Sequence, residues 1–163
     1  MTPPPVLRLA TPADVTELVR LRALMMEALV EPPEPTWRAA CTAFLAAALA
    51  DGRAGAVVAP DPEDPAGVRL VACGVGTVVQ RLPGPNTPDG RYGYIASMVT
   101  EAPWRGRGLA TRIVSDLIGW FGARGIHKVD LHASAHGESI YRRLGFTTGG
   151  YPELRWRRPP SGV

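Results

Sequence analysis

Cysteine is scarce in this chain, with two in 163 residues. Cys41 and Cys73 each stand alone among apolar neighbours without the spacing of metal ligands, so both read as buried, reduced thiols and no metal site is expected. No run of about 18 apolar residues occurs, and the opening MTPPPVLRLA lacks a basic segment followed by an apolar one. A membrane partner and export are therefore not expected, and the reduced thiols point to the cytoplasm. Strong charge of one sign is missing too: a net charge of +3 is too mild to single out a polyanion. G-x-x-x-x-G-K-S/T is absent, which speaks against a P-loop nucleotide hydrolase, and G-x-G-x-x-G counted from Gly106 would need a glycine where Thr111 stands. There is no internal repeat, and the one Arg/Gly stretch is not reiterated as in RNA-binding segments, so no nucleic acid partner is expected.

What is present fits one domain spanning residues 1–163, with 45% hydrophobic and 20% charged residues and loose tails at 1–5 and 159–163. Residues 6–10 alternate as a short strand does. Thr11 and Pro12 then open a helix whose Leu18, Leu21, Met25 and Leu29 share one face. A second helix is expected over Thr36–Ala50, ending at Asp51-Gly52. Residues 54–59 and 68–82 read as an antiparallel strand pair around a Pro/Asp loop, and 91–100 as a third strand. Leu109, Ile113, Leu117 and Trp120 or Phe121 recur at helical spacing until Gly122 and Gly125. Residues 126–133 alternate as a strand, 137–145 read as a short helix, and FTTGG with ELRWR predicts a closing hairpin. A helix crossing between strands 91–100 and 126–133 implies that those two run parallel, and hence a mixed α+β sheet.

The stretch APWRGRGLATRIVSDL, residues 102–117, sets two arginines between two glycines just before an amphipathic helix. Without β-carbons, Gly106 and Gly108 permit unusual dihedrals and let a ligand reach the backbone. The first N–H groups of the new helix point at that ligand and its dipole adds partial positive charge, so phosphate suits the place, with Arg105 and Arg107 as mobile cations around it.

RGRGLA, residues 105–110, matches the R/Q-x-x-G-x-G/A signature of the GNAT N-acetyltransferase superfamily. SAHGESIYRRLGF, residues 134–146, resembles that family's N-x-x-A/G-x-x-x-Y-x-x-x-G-F segment. The two signatures occur in the family's order with a strand between them. The motif-bearing core is 91–147. The resemblance implies a mostly antiparallel, twisted sheet with a parallel, splayed central strand pair, flanked by about four helices. It also implies acetyl-CoA as acyl donor, its pantetheine arm held by the backbone of Met98, Val99 and Thr100. The pyrophosphate would lie in a cradle of Arg105, Gly106, Arg107, Gly108, Leu109, Ala110 and Thr111. Ser134 stands where relatives often carry an Asn that touches the pantetheine. Tyr141 matches the family's tyrosine, whose phenol can protonate the departing thiolate; the alternative is a tyrosine packed beneath Leu144-Gly145-Phe146 with its hydroxyl satisfied locally.

The base that frees the amine is less evident. Relatives often carry Glu on the fourth strand where Tyr94 stands, and residues 91–100 contain no carboxylate. Glu27, His132 and Glu153 are candidates, each with a plain structural reading beside it, and a water chain past Ser97 or Tyr94 could serve instead. Asp130 and His132 share a strand face. Trp37, Glu27, Glu31, Glu34 and Trp156 are candidates to line the acceptor's place. The expectation is direct transfer of an acetyl group to a primary amine of a small molecule in a ternary complex; a homodimer is compatible with it. Two alternatives stay open: a weakly catalytic or non-catalytic acyl-CoA-binding sensor, and an acetyltransferase acting on protein N-termini or lysines.

Overall fold

A computed structural model describes residues 3–29 and 36–159. Strand β1 (Arg8–Leu9) leads into a single 3-10 turn (Pro12–Asp14) and helix α1 (Val15–Leu29), then helix α2 (Thr36–Ala50). Strands β2 (Ala54–Pro60), β3 (Leu70–Gln80) and β4 (Arg91–Thr100) follow, then α3 (Leu109–Gly122), β5 (Val129–Leu131) and α4 (Glu138–Arg143). The five strands form one sheet in the order β1-β2-β3-β4-β5, antiparallel except for the parallel pair β4–β5. The crossover through α3 accounts for that parallel pair, as expected.

Apolar side chains cover both faces of the sheet. On one face Leu18 and Leu21 of α1 and Leu45 of α2 pack on Val58, Leu70, Cys73 and Val75, with Met25 partly buried beside them. On the other, Ile113, Leu117, Trp120 and Phe121 of α3 pack on Val57, Val71 and Ile95. The fit of α3 depends on strand glycines. A β-carbon at Gly55 would stand 2.3 Å from the Trp120 ring, and one at Gly76 or Gly93 would stand 2.7 or 2.8 Å from that of Phe121. Three neighbouring strands thus surrender side chains so that two aromatic rings reach the sheet.

The entry to α1 is built by Asp14, which is 5% exposed. Its carboxylate accepts two hydrogen bonds from the Arg8 guanidinium, both 2.8 Å, and one from the Thr11 N–H at 2.7 Å. The Arg8 contacts hold this carboxyl below the usual range; burial opposes them, and the Thr11 N–H adds to the lowering. The cysteines follow expectation in part. Cys73 is fully buried, which pushes its thiol up to about 12, whereas Cys41 on α2 is only half-buried.

Two expectations are corrected. The helix expected from Thr11 begins as a 3-10 turn and becomes α-helical at Val15, because Asp14 turns back to its own entry. The closing hairpin does not form: residues 144–159 contain no strand, and Tyr151, Leu154 and Trp156 are 93%, 89% and 78% exposed. Gly149, Gly150 and Pro152 interrupt the pattern, and β5 pairs over three residues only, a short template for another strand. The face of Leu29, and Glu31 and Glu34, lie outside the described residues and side chains.

Candidate active site

The site begins with an irregularity in β4. Cys73 pairs with Val99 and Val75 with Ala96, so one residue of β3 faces two of β4, a β-bulge at Ser97-Met98. Ser97 takes a left-handed φ of 52° and is buried. One extra residue reverses the faces of everything beyond it. Ile95 accordingly packs toward α3, whereas Val99, four residues on, packs toward α1. The Met98 side chain reaches Gly74, its sulfur 2.5 Å from where a β-carbon there would be.

At the same place β4 leaves β5. The parallel ladder joins Gly93, Tyr94 and Ile95 to Val129, Asp130 and Leu131 and stops, so Ala96–Thr100 present an edge without a strand partner. Such an edge can accept an extended chain of amide groups as if it were another strand. Between the parted strands lies a cleft of about 1080 Å³. Met98, Val99 and Thr100 line one wall, His132, Ser134 and Tyr141 another, and α1 contributes Arg22, Met25 and Met26.

Arg105 and Ala110 carry the cleft's lining toward the start of α3. There Gly106 and Gly108 both have φ of 73°, a conformation that costs other residues, and no atom lies within 4 Å of where their β-carbons would be. Gly108 is the N-cap and has no side chain to cap with, while the Arg112 N–H makes the first bond back, to the Gly108 carbonyl. The N–H groups preceding it have no acceptor within the helix, which suits this end to an anion.

Other expected site residues are placed with more differentiation. Leu109 is buried in the core, so only its backbone is offered to a ligand. Arg105 donates from Nε to the Thr100 carbonyl at 3.0 Å. Arg107 lies over the Trp104 ring, 4.6 Å from its centroid, and donates to the Pro103 carbonyl; it does not line the cleft. Thr111 is half-buried on the first turn of α3 and, like Gly106, Gly108 and Leu109, does not line the cleft either. Ser134 lines it and also supports α4, its Oγ accepting from the Gly137 N–H at 3.2 Å.

Tyr141 is half-buried, its ring edge-on to Phe146 with centroids 5.9 Å apart. Burial raises its phenol above the ordinary value. The ring thus packs against Phe146 as the packing alternative has it, while among the described residues no group hydrogen-bonds its hydroxyl.

Of the base candidates, Glu27 is exposed and pairs with Arg38 at 3.2 Å, away from the cleft. His132 lines the cleft and touches both Tyr94 and Glu153. Asp130 is drawn aside to Arg81, 3.2 Å away. Trp37 and Trp156 do not line the cleft. Arg22, His136 and Ile140 do, and sequence reasoning missed them; in LVRLRAL nothing local separates Arg22 from Arg20, which pairs with Glu17 and Glu101. Among the described residues no group of three or more His, Cys, Asp and Glu could hold a metal ion, and no helix is long and apolar enough to cross a membrane.

A five-strand mixed sheet, parted beside a bulge and opposite a glycine turn that opens a helix, is the architecture of acetyltransferases built on the GNAT plan. The family model described as "Acetyltransferase (GNAT) family" matches residues 20–146, and the chain belongs to that family. A solved structure from Clostridium acetobutylicum, described as a predicted acetyltransferase with acetyl-CoA, is similar over 92% of this chain and 95% of that one, with a TM-score of 0.79 and 28% identity. A GCN5-related N-acetyltransferase from Ralstonia eutropha shares the fold with a TM-score of 0.74 and 22% identity, over 93% and 97% of the two chains. Among curated proteins, glucosamine 6-phosphate N-acetyltransferase 1 of Oryza sativa subsp. japonica is 33% identical over 84 residues, 52% of this chain and 49% of that one. The match therefore spans about half the length of that relative.

Proposed function

We propose that this protein transfers the acetyl group of acetyl-CoA directly to a primary amine of a small molecule. The observation that carries the proposal is the unpaired β4 edge along a cleft whose lining reaches Arg105 and Ala110, beside the uncapped start of α3. The edge at Met98, Val99 and Thr100 takes the amide groups of the pantetheine arm. Phosphates meet the backbone from Gly106 to Thr111, where N–H groups are free to donate and the dipole favours negative charge. Arg105 and Arg107 swing from their present contacts to the phosphates, while Ser134 borders the arm. The half-buried hydroxyl of Tyr141, without a hydrogen-bond partner among the described residues, protonates the departing thiolate.

The acceptor enters from the α1 side. There Arg22 donates to the Ser97 hydroxyl at 2.5 Å and has no carboxylate partner among the described residues. A cation whose partner among the described residues is a neutral hydroxyl favours an acceptor that carries an anionic group beside its amine. Glucosamine 6-phosphate, the substrate in the curated relative's name, has that character.

The test is free-thiol release from acetyl-CoA with glucosamine 6-phosphate, amino acids, polyamines and lysine- or N-terminus-bearing peptides, alongside calorimetric titration of the coenzyme. Release with an anionic small amine is the expected result. Binding without release across the panel would instead favour a sensor, and release with peptides alone would move the acceptor to proteins.

A further inference from the structure

We infer that Tyr94, His132 and Glu153 form a proton relay that takes the ammonium proton from the acceptor amine. The inference rests on the transferase reading above and supplies the base which that reading leaves unassigned. Tyr94 projects from the last stretch of β4 paired with β5, and His132 follows the end of β5, so the two stand at the point where the strands part. Both line the cleft. The Tyr94 hydroxyl is 2.5 Å from His132 Nδ1, with the rings edge-on and their centroids 5.7 Å apart. His132 Nε2 meets the Glu153 carboxylate, whose other oxygen accepts from Arg155 at 3.1 Å.

The partners set the direction of the protons. An ionised carboxylate can only accept, so the neutral imidazole carries its proton on Nε2 and leaves Nδ1 to accept from the phenol. The His132 hydrogen bond holds the Glu153 carboxyl below its usual range, which keeps it in that accepting form. Burial, followed by the nearby Glu153, raises the Tyr94 phenol, so a free-standing phenolate is disfavoured. Tyr94 therefore serves by passing its own proton on as it receives another.

In the step proposed, the amine's proton moves to the Tyr94 oxygen while the phenolic proton moves to His132 Nδ1, giving an imidazolium beside the Glu153 carboxylate. The nitrogen lone pair thus released forms the new C–N bond at the thioester carbonyl. The C–S bond breaks, and its electron pair leaves on sulfur, which takes the Tyr141 proton; the adduct nitrogen gives up its remaining extra proton to water to become the neutral amide, and water returns a proton to the Tyr141 oxygen. His132 is exposed and returns its proton to water. Tyr94 is the catalytic residue of the relay, while His132 and Glu153 act through it.

Other groups on the cleft are less suited. Glu101 is the one carboxylate among the described lining residues, and it is held by Arg20 at 2.7 Å and Arg69 at 2.5 Å. The charged groups acting on Tyr94 come from three elements: Arg22 on α1, Asp130 on β5, and Glu153 with Arg155 in the final segment. Arg22 and Arg155 oppose the two acids, so the relay is not surrounded by one sign of charge.

The experiment measures kcat/KM against pH for wild type, Tyr94→Phe, His132→Gln, Glu153→Gln and the Tyr94/His132 double variant. The donor is acetyl-CoA and the acceptor is the best amine of the panel, with acetyl-CoA affinity read separately by calorimetry. Near pH 7 each of Tyr94→Phe and His132→Gln loses about 10²-fold in kcat/KM with coenzyme affinity unchanged. The deficit closes as pH approaches roughly 10, where an alkylamine deprotonates without help. The double variant is no worse than either single one, because the groups act as a unit. Glu153→Gln alters an exposed side chain, so its neutral-pH deficit reports on the relay even if a Tyr94 variant is poorly folded. Wild-type activity in the variants, a deficit equal at every pH, or additive losses would overturn the relay and leave the transferase intact. No thiol release by the wild type with any amine would overturn the transferase reading, and the relay with it.

Discussion

Gly108→Asp, set beside Gly108→Ala, separates the shape of the phosphate cradle from its charge. Gly108 has φ of 73° and no atom within 4 Å of the β-carbon position, so neither side chain clashes. A left-handed φ costs an alanine about 1 kcal/mol. For a domain of this size that lowers Tm by about 2–4 °C. Aspartate tolerates this region better and sits at the start of α3, so it should melt at or above the alanine variant. Binding separates them further. A carboxylate roughly 5 Å from a phosphate charge, at an effective dielectric near 20, is repelled by about 3 kcal/mol. That corresponds to roughly 10²-fold in affinity. The assay is calorimetric titration of acetyl-CoA into each variant, with thermal unfolding as the control for folding. Gly108→Asp should lose at least that much affinity, while Gly108→Ala should keep most of it. A folded Gly108→Asp protein that binds acetyl-CoA like the wild type would refute placing the pyrophosphate at this turn.

Three further outcomes are expected. Tyr141→Phe keeps the ring against Phe146 and removes the proton, so turnover should fall about 10²-fold with coenzyme affinity unchanged; an unaltered single-turnover rate would return Tyr141 to a packing role. Arg22→Gln should raise KM for anionic amines and leave that for uncharged-side-chain amines nearly unchanged; equal effects on both would remove Arg22 from acceptor recognition. Asp14→Asn should cost about 2 kcal/mol, or roughly 4–8 °C in Tm, as the charge-assisted bonds at the entry to α1 weaken, with Arg8 too exposed to justify a larger figure. Because the folded Asp14 carboxyl titrates below its unfolded value near 3.9, its stabilisation is full above that pH and is lost as pH falls through the folded value. Acid unfolding followed by circular dichroism should therefore show a shallower limb below about pH 4 in the variant; an unchanged limb would contradict the assignment.

Much of the molecule was legible in the order of residues because the signals involved are local. Helix α3 shows itself through Ile113, Leu117 and Phe121, all fully buried on one face. Its start is marked by Gly106 and Gly108, both of which adopt the positive φ that glycine permits. The parallel β4–β5 pair follows from one crossover helix. The failed hairpin shows the limit of such signals: Leu154 and Trp156 alternate as strand residues do, yet a strand exists only where another edge is there to pair with it.

Sequence by itself determined the element order as far as α4, the glycine turn, the apolar face of α3 and the family signatures, since each is written within a few consecutive residues and expressed through backbone preference and helical or strand periodicity. Tertiary structure alone decided the rest of the site. The bulge at Ser97 comes from the register between two strands, and it sends Ile95 and Val99 to opposite faces. The turn of Arg22 toward Ser97 joins residues 75 apart, and the contacts of His132 join it to Tyr94 and Glu153 across 38 and 21 residues. No spacing along the chain encodes such meetings; they arise because packing α1 and α3 on the sheet fixes where the strands part and which polar side chains border the opening.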